Sequence, residues 1–591
     1  MKLFKACLSG VLCLFMHSYV FAEKHPPVKL NNLVTELLNM EKQDFSHDNK
    51  YTFEATRNGW IYLKIQTSEI ISVNDVKITV LQNNAARNIF LYPYHDKNTF
   101  EAMFLCDKGT NSLQINSDKS KSPYNIIIRA IPEIVFDSYG HKQKIFDTVC
   151  DWDFLEKNNI LNNVNVFSGK TEEYRDIISK WHAMGRIWLG YAGCNRNDNP
   201  EKEYEKWKKA LSVPFSDGII IDEFDGYRKE NLIYTETFRR LFTEFPGKRI
   251  YPWIGHGGKY DLTYPDGNIY LKPFAEAVIA GKSKPVLERY FEDYFLNEEE
   301  MRQDIAFKLD KDIKNWENAI PGIVKSVIVC FNFYVSGGSC SRNINPSTDY
   351  RYLMDFQFNH IANSPLYDGL YGVMAWHAAG ADPETIRWLG LLYRHYCIKG
   401  KKEMLSPQYG IKYALKHLQN PDFEYHEDGW IFSPAEDGSI SIKFLKPGGW
   451  WQGRKPEGIK RKITGNHFAL MKYSDKKPNK ISQTIENLIP SRPYTLKMIS
   501  GDPNNLKNEK LLNIYAKITG AKIIEEYQKS YPGQDEKEKN IHYFNYHYIV
   551  FVPEKSTAEL TITDWKDNTD KKLSHGKEVM INFIEVQSYI K

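Results

Sequence analysis

Between residues 133 and 378 the sequence repeats one grammar eight times: a short apolar run, a polar turn, then an amphipathic stretch. The runs are "EIVFDSYG" (133–140), "VNVFSG" (164–169), "RIWLGYAG" (186–193), "DGIIIDEF" (217–224), "RIYPWIG" (249–255), "PVLERYF" (285–291), "SVIVCFNFY" (326–334) and "LYGVMAWHA" (370–378). Continuous apolar runs of this length suit strands covered on both faces, as in parallel sheets. The stretches between them, such as "KEYEKWKKAL", "YTETFRRLFTEF" and "EEEMRQDIAFKLDKDIKNWENAI", carry helical spacing. The last, "DPETIRWLGLLYRHYCIKG", opens on Asp382 as N-cap with Pro383 in its first turn and stops at Gly400. Eight such alternations are the count of a (β/α)8 TIM barrel. An open doubly wound sheet usually has fewer units, and no Gly-rich dinucleotide fingerprint follows the first run.

On either side the period changes to two. "GWIYLKI", "VKITVLQ", "NIFLYPY", "NSLQIN" and "YNIIIRAI" precede the barrel; "DGWIFSPAE", "GSISIKFL", "PYTLKMISGD", "YHYIVFVPE", "AELTITDW" and "EVMINFIEVQSYI" follow it. Both sets read as β-sandwiches. The expected organisation is therefore multidomain, α/β plus all-β: an N-terminal β-sandwich over 23–131, a barrel over 132–405, and a C-terminal β-sandwich over 406–591 that is a candidate glycan binder. The first 22 residues read as a secretory signal peptide, with Lys2 and Lys5 before an apolar run and small-residue cleavage chemistry at Val20-Phe21-Ala22. Gly10-Val11-Leu12 before Cys13 makes a poor lipobox. The chain is thus expected to be exported, periplasmic or extracellular, and its Lys/Asn/Ile-rich composition suggests a bacterium.

With 78 basic and 74 acidic residues spread without long blocks, nothing calls for a nucleic-acid partner. No stretch after the leader reaches the apolar length of a membrane helix. The six cysteines beyond the leader show no C-x-x-C pair and do not suggest a disulfide scaffold. No H-E-x-x-H, G-x-S-x-G or P-loop signature occurs. "DWKDNTD" (564–570) has oxygen donors for Ca2+ but lacks the Gly and final Glu of an EF-hand loop, so it reads as a turn. No cofactor or metal is expected. Trp450 and Trp451 in "PGGWWQG" would form a sugar platform if exposed and a hydrophobic plug if buried; the plug is the safer reading.

In a barrel, side chains at the C-terminal ends of the strands converge on one site. That rule selects Asp137 from strand one, Tyr191 from strand three, and Asp222, Glu223 and Asp225 from strand four. It adds Trp253 and His256 from strand five, Glu288 from strand six, Asn332 and Tyr334 from strand seven, and Trp376 and His377 from strand eight. Acids, amides, histidines and tryptophans on one rim suit recognition of a polyol. Long loops after strands five and seven lie on the same rim. Each residue also has a structural reading: Asp222 and Glu223 as partners of Arg228 or Lys229, Glu288 as partner of Arg289, Asp225 as a turn former, and the histidines as satisfied core groups.

Acids at the end of strand four with another on a later strand resemble the broad group of barrel glycoside hydrolases, in which two carboxyls flank the scissile bond. Trp376 resembles the aromatic floor many of them place beneath the sugar. The resemblance covers the barrel and implies catalysis by Glu223, Asp222 and Glu288, with the other rim residues binding substrate. Two assignments stay open. Asp222-Glu223 resembles the Asp-Glu pair of hexosaminidases, in which the Glu is the acid and the Asp orients a substrate nucleophile. Asp222 as nucleophile with Glu288 as acid resembles α-galactosidase-like barrels. A strand-seven nucleophile, common in the group, has no acid here to serve it. The rival readings are a non-catalytic glycan-binding protein, and a lyase or esterase for an acidic polysaccharide using Arg289, Lys259 and Arg342.

Overall fold

The computed structural model describes residues 26–41, 50–67, 76–82, 85–89, 91–93, 98–117, 123–143, 145–194, 199–224, 230–255, 265–335, 341–444, 467–537, 540–567 and 577–591. The leader, Asp225, His256, Lys259, Trp450 and Trp451 lie outside the described residues, and of Glu223 only the backbone is described.

Eight parallel strands close into a barrel in chain order. They are Glu133–Tyr139, Val166–Gly169, Ile187–Gly193, Gly218–Phe224, Arg249–Ile254, Val286–Glu288, Ile328–Asn332 and Gly372–Trp376. Strand one pairs with strand eight, Glu133 opposite Gly372 and Phe136 opposite Ala375. A side chain at Gly372 would meet the Glu133 carbonyl and Ile328 Cγ1 at 2.9 Å, so this close strand approach needs a glycine. Ile219, Ile220 and Ile221 are fully buried, as an apolar run in a wall covered on both faces requires. Strand six is shorter than its apolar run suggests. After Arg289 N–H donates to the Cys330 carbonyl at 2.8 Å, the chain leaves the wall, and Asp293 bonds the Arg342 carbonyl in the loop after strand seven.

Helices lie at Arg175–Ala183, Pro200–Leu211, Glu230–Glu244, Glu298–Ala319 and Pro383–Leu392. Asp382 does cap the last: its Oδ1 accepts from Thr385 N–H at 2.7 Å. Beyond Leu392 the helix widens into a π-helical turn, Tyr393–Ile398. Pro265–Ala280 and Tyr350–Asn363 complete the main helical set. The second carries little helical striping because it is buried on nearly every side, Arg351 and Asp355 included.

Antiparallel sheets flank the barrel. Before it stand a six-stranded sheet, which includes Thr35–Glu41, Gly59–Thr67, Thr99–Cys106 and Pro123–Ile131, and a four-stranded one. After it come a four-stranded sheet and a seven-stranded one centred on Tyr494–Gly501, Asn540–Pro553 and Glu578–Ser588. The N-terminal sheet meets the closed end of the barrel through Trp60, whose indole N–H donates to buried Glu133 at 3.0 Å. The C-terminal sheet meets the helices Tyr350–Asn363 and Pro383–Leu392 through a buried ionic network. Lys497 Nζ lies 2.7 Å from Asp382, Arg351 lies 2.7 Å from both Asp349 and Glu384, and Thr495 and Tyr548 hydroxyls donate to Glu384 at 2.9 and 3.0 Å. Among the described residues the five cysteines form no disulfide, and no helix is long and apolar enough to cross a membrane.

Several carboxyls are buried without a full cationic partner. Burial pushes Asp293 up to about 7, against hydrogen bonds from Thr348 and Tyr413, and pushes Glu585 up to about 8, against Lys497 and Asn343. These groups hold protons in the folded chain that the unfolded chain releases near pH 4. Their contribution to stability is therefore complete below that pH and is lost as pH rises through 7 to 8. Asp293→Asn is expected to flatten the fall in urea midpoint between pH 5 and 7 relative to wild type; an unchanged slope would rule out this role for Asp293.

Candidate active site at the barrel mouth

Strand four delivers Asp222 to the rim in register with Gly193 of strand three. Just past Ile221 the pairing with strand five shifts register, a device that re-aims side chains. The hydroxyl of half-exposed Tyr191, on strand three, donates to Asp222 Oδ2 at 2.8 Å. A hydrogen bond to the carboxylate favours its ionised form.

Asp137, at the end of strand one, is 3% exposed. Its Oδ1 accepts from Ser138 Oγ at 2.9 Å, and Ser138 Oγ in turn accepts from Ala378 N–H, just past strand eight, at 3.1 Å. Burial raises the Asp137 carboxyl to about 7; the Ser138 bond opposes this and the charge of Asp222 adds to it. Asp137 is thus held protonated below neutral pH by its surroundings, with Asp222 near enough to matter.

Glu288 closes strand six and is half-buried. Two residues on, beyond the end of the strand, Tyr290 lies against Trp376 of strand eight. Its hydroxyl is pushed well above the usual tyrosine range by burial, then by the charges of Cys330, Glu288, Asp137 and Asp222. The Cys330 thiol, fully buried on strand seven, is raised by burial and by the same three carboxylates, while a hydrogen bond from Tyr290 works the other way. Carboxyls from strands one, four and six therefore all act electrostatically on one tyrosine–cysteine pair.

An aromatic floor lies beside them. Trp376, half-buried at the end of strand eight, stacks face to face on Tyr290 with ring centroids 5.2 Å apart and planes 9° from parallel. Trp253 meets it edge-on at 6.5 Å, and Tyr334 and His377 lie against it at 6.2 and 4.9 Å. The Trp376–His377 peptide is cis. His377 also meets His141 edge-on at 5.6 Å. Asn332 Oδ1 accepts from Tyr334 N–H at 2.7 Å, and its Nδ2 is a buried donor with no acceptor among the described residues, as is the indole N–H of Trp253. Buried donors in this state are uncommon, and an acceptor oxygen brought to them would satisfy them.

The residues selected by the strand-end rule that fall among the described side chains thus collect at one end of the barrel. Tyr290 and Cys330 were missed as members of the site. The signal for Tyr290 was its place two residues past Glu288; Cys330 reads from sequence only as an apolar wall residue. The expectations for Arg289 need correction. Arg289 does not face the rim and is not the partner of Glu288: it lies behind the wall, 2.9 Å from Asp312 on the helix Glu298–Ala319. Arg342 is at the rim but is engaged by Glu292 and sits 5.5 Å above the Tyr290 ring. Among the described residues no three His, Cys, Asp or Glu side chains come together as a metal site would need.

Gly380 sets how closely the floor packs. A methyl group there would lie 2.0 Å from the Tyr334 ring. Gly380→Ala is expected to displace Tyr334, lower stability by about 1–3 kcal/mol and alter the near-ultraviolet circular dichroism of the floor. An unchanged spectrum with unchanged stability would refute this packing.

No family model matches the chain, and no curated protein does. Solved structures similar to it include a Paenibacillus sp. cycloisomaltooligosaccharide glucanotransferase complexed with cycloisomaltoheptaose, at 8% identity over 93% of this chain and 72% of that one, TM-score 0.25. Another is the Clostridium thermocellum N-terminal endo-1,4-β-D-xylanase 10B complexed with xylohexaose, at 8% identity over 64% of this chain and 99% of that one, TM-score 0.27. A third is a Podospora anserina β-(1,4)-mannanase, at 11% identity over 59% and 89%, TM-score 0.19. All three are carbohydrate-active enzymes.

Proposed function

We propose that this chain is a glycoside hydrolase that cleaves an oligo- or polysaccharide at the C-terminal mouth of its barrel. The observation that carries the reading is that Asp137, Asp222 and Glu288 stand at the C-terminal ends of strands one, four and six of one closed barrel and all act on Tyr290, which stacks on the Trp376 floor. Hydrolysis of a glycosidic bond needs one carboxyl to protonate the leaving oxygen and a second to attack the sugar or activate water. Asp222, which accepts the Tyr191 hydroxyl at 2.8 Å, takes the second role. Glu288, half-buried at the end of strand six and near enough to Tyr290 to raise its hydroxyl, takes the first. Asp137, protonated below neutral pH, donates a hydrogen bond to a sugar hydroxyl. Trp376 supports the sugar ring from below, and the open donors of Asn332 and Trp253 orient its hydroxyls. Glu223 stays a catalytic candidate, and Asp225 and His256 stay substrate-binding candidates, by their position at the end of their strands.

We extend the proposal to export, resting on Lys2, Lys5 and the Val20-Phe21-Ala22 cleavage pattern, and to glycan binding by the C-terminal sheets. The test is a glycan-release screen with wild type beside Asp222→Asn, Glu223→Gln and Glu288→Gln, with folding checked by circular dichroism. Release by wild type and its loss in a folded variant supports hydrolysis. A glycan that binds all four proteins equally and is never cleaved would replace this reading with a binding protein on a barrel scaffold.

A further inference from the structure

A second cleft, of about 500 Å3, lies between the N-terminal sheet and the segment that follows the last barrel helix. That helix runs away from the mouth after strand eight, so its continuation, Lys399–Glu403, lies toward the closed end of the barrel. Six cationic side chains line the cleft: Lys64 and Arg129 from the sheet, and Arg394, Lys399, Lys401 and Lys402 from the segment. Against them stands one lining carboxylate, Glu403. Glu36 and Glu101 reach in to Arg129 and Arg394.

The cationic wall is held in place. Asn31 Nδ2 donates to the Tyr396 and Lys401 carbonyls at 2.9 and 3.0 Å, and Arg129 donates to the Ile398 carbonyl at 3.1 Å. Gly400, at φ +67°, has its backbone pressed against Leu30, where a side chain would meet Leu30 Cβ at 2.6 Å. Arg394 is 7% exposed and forms a buried pair with Glu101 that also engages the Tyr62 hydroxyl. The ammonium of Lys399 is driven below its ordinary value by burial and then by Arg394, Lys401 and Lys64, with Glu101 opposing. Cations fixed this close to one another repel, and a bound anion relieves the repulsion.

We propose that this cleft is an oxyanion-binding site, separate from the barrel mouth, for a tetrahedral sulfate or phosphate group. A cleft of this size accommodates such a group together with a sugar ring. The group comes either from an ester on an acidic polysaccharide or from the free ion, and the arms of the test separate these sources.

The full-length protein is titrated calorimetrically with inorganic sulfate, inorganic phosphate, heparin as a sulfated polysaccharide, and dextran as a neutral control, at low and high salt. The comparison is Lys64→Met/Lys399→Met, which leaves the buried Arg129 and Arg394 pairs intact. Wild type is expected to bind an oxyanion probe and to ignore dextran, and the double variant is expected to bind it about tenfold or more weakly, the worth of one lost charge-assisted hydrogen bond. Binding of heparin but not the free ions assigns the site to a polysaccharide; binding of a free ion assigns it to a small anion. No binding by wild type, or equal binding by the double variant, overturns the proposal. Glycan release at the mouth is expected to be the same in both proteins, so failure here and failure of the hydrolase reading are told apart.

Discussion

Asp222→Asn is expected to lose turnover by about 10²–10⁴-fold on every substrate the wild type cleaves. Asparagine keeps the size and can still accept the bond from Tyr191, which is 2.8 Å long in the native chain, but it can neither attack a sugar nor take a proton from water. Glu288→Gln is expected to lose as much on natural glycans and much less on aryl glycosides with acidic phenol leaving groups, since these depart without protonation. This split separates the two roles. Equal losses on both substrate types would take the acid role from Glu288, and Glu223 would be the next to test. Survival of cleavage within tenfold in both variants would remove the mechanism altogether. Tyr191→Phe removes a hydrogen bond to the ionised form of Asp222, so its acid pKa should rise and the acidic limb of the pH–rate profile should move to higher pH.

Lys497→Met should destabilise the folded chain by about 3–5 kcal/mol, the cost of leaving a buried acid without its partner. Lys497 is 4% exposed and lies 2.7 Å from Asp382, which is fully buried and caps the last barrel helix. Glu384, also fully buried, lies 4.0 Å from the same ammonium. The Met side chain fills the space but removes the ammonium from Asp382, whose remaining hydrogen bonds among the described residues come from the Thr385 amide and, at 3.4 Å, the Tyr546 hydroxyl. The comparison is Lys476→Met, whose partner Glu436 is on the surface, where loss of an ion pair is worth about 1 kcal/mol or less. Urea unfolding of both variants measures the difference, and equal midpoints would show that the buried network contributes no more than a surface pair. Because the network ties barrel helices to the C-terminal sheet, the same argument predicts that a chain ending at residue 405 does not yield a stable barrel.

The barrel strands and their mouth were legible because both are local properties. A run such as Gly218–Phe224 declares itself by three consecutive isoleucines, and its polar end follows within one residue. Once strands alternate with helices, chirality and closure put all their C-terminal ends together, so Asp137, Asp222, Glu288 and Trp376 could be selected without coordinates. Strands poor in apolar alternation, such as Thr35–Glu41, carried no such signal, since "TELLNME" looks as helical as it does extended. The helix Tyr350–Asn363 was hidden for the opposite reason, being covered on almost all sides.

What the sequence by itself determined is which side chains arrive at the mouth. What only the tertiary structure decided is what each of them meets there. Asp137 and Asp222 are 85 positions apart in the chain, and the rise of Asp137 to about 7 comes from burial and from that neighbour. Arg289 follows Glu288 in sequence, yet the wall sends it out to Asp312 while Glu288 turns in toward Tyr290. Adjacent residues of a strand face opposite ways, and charges act through space rather than along the chain.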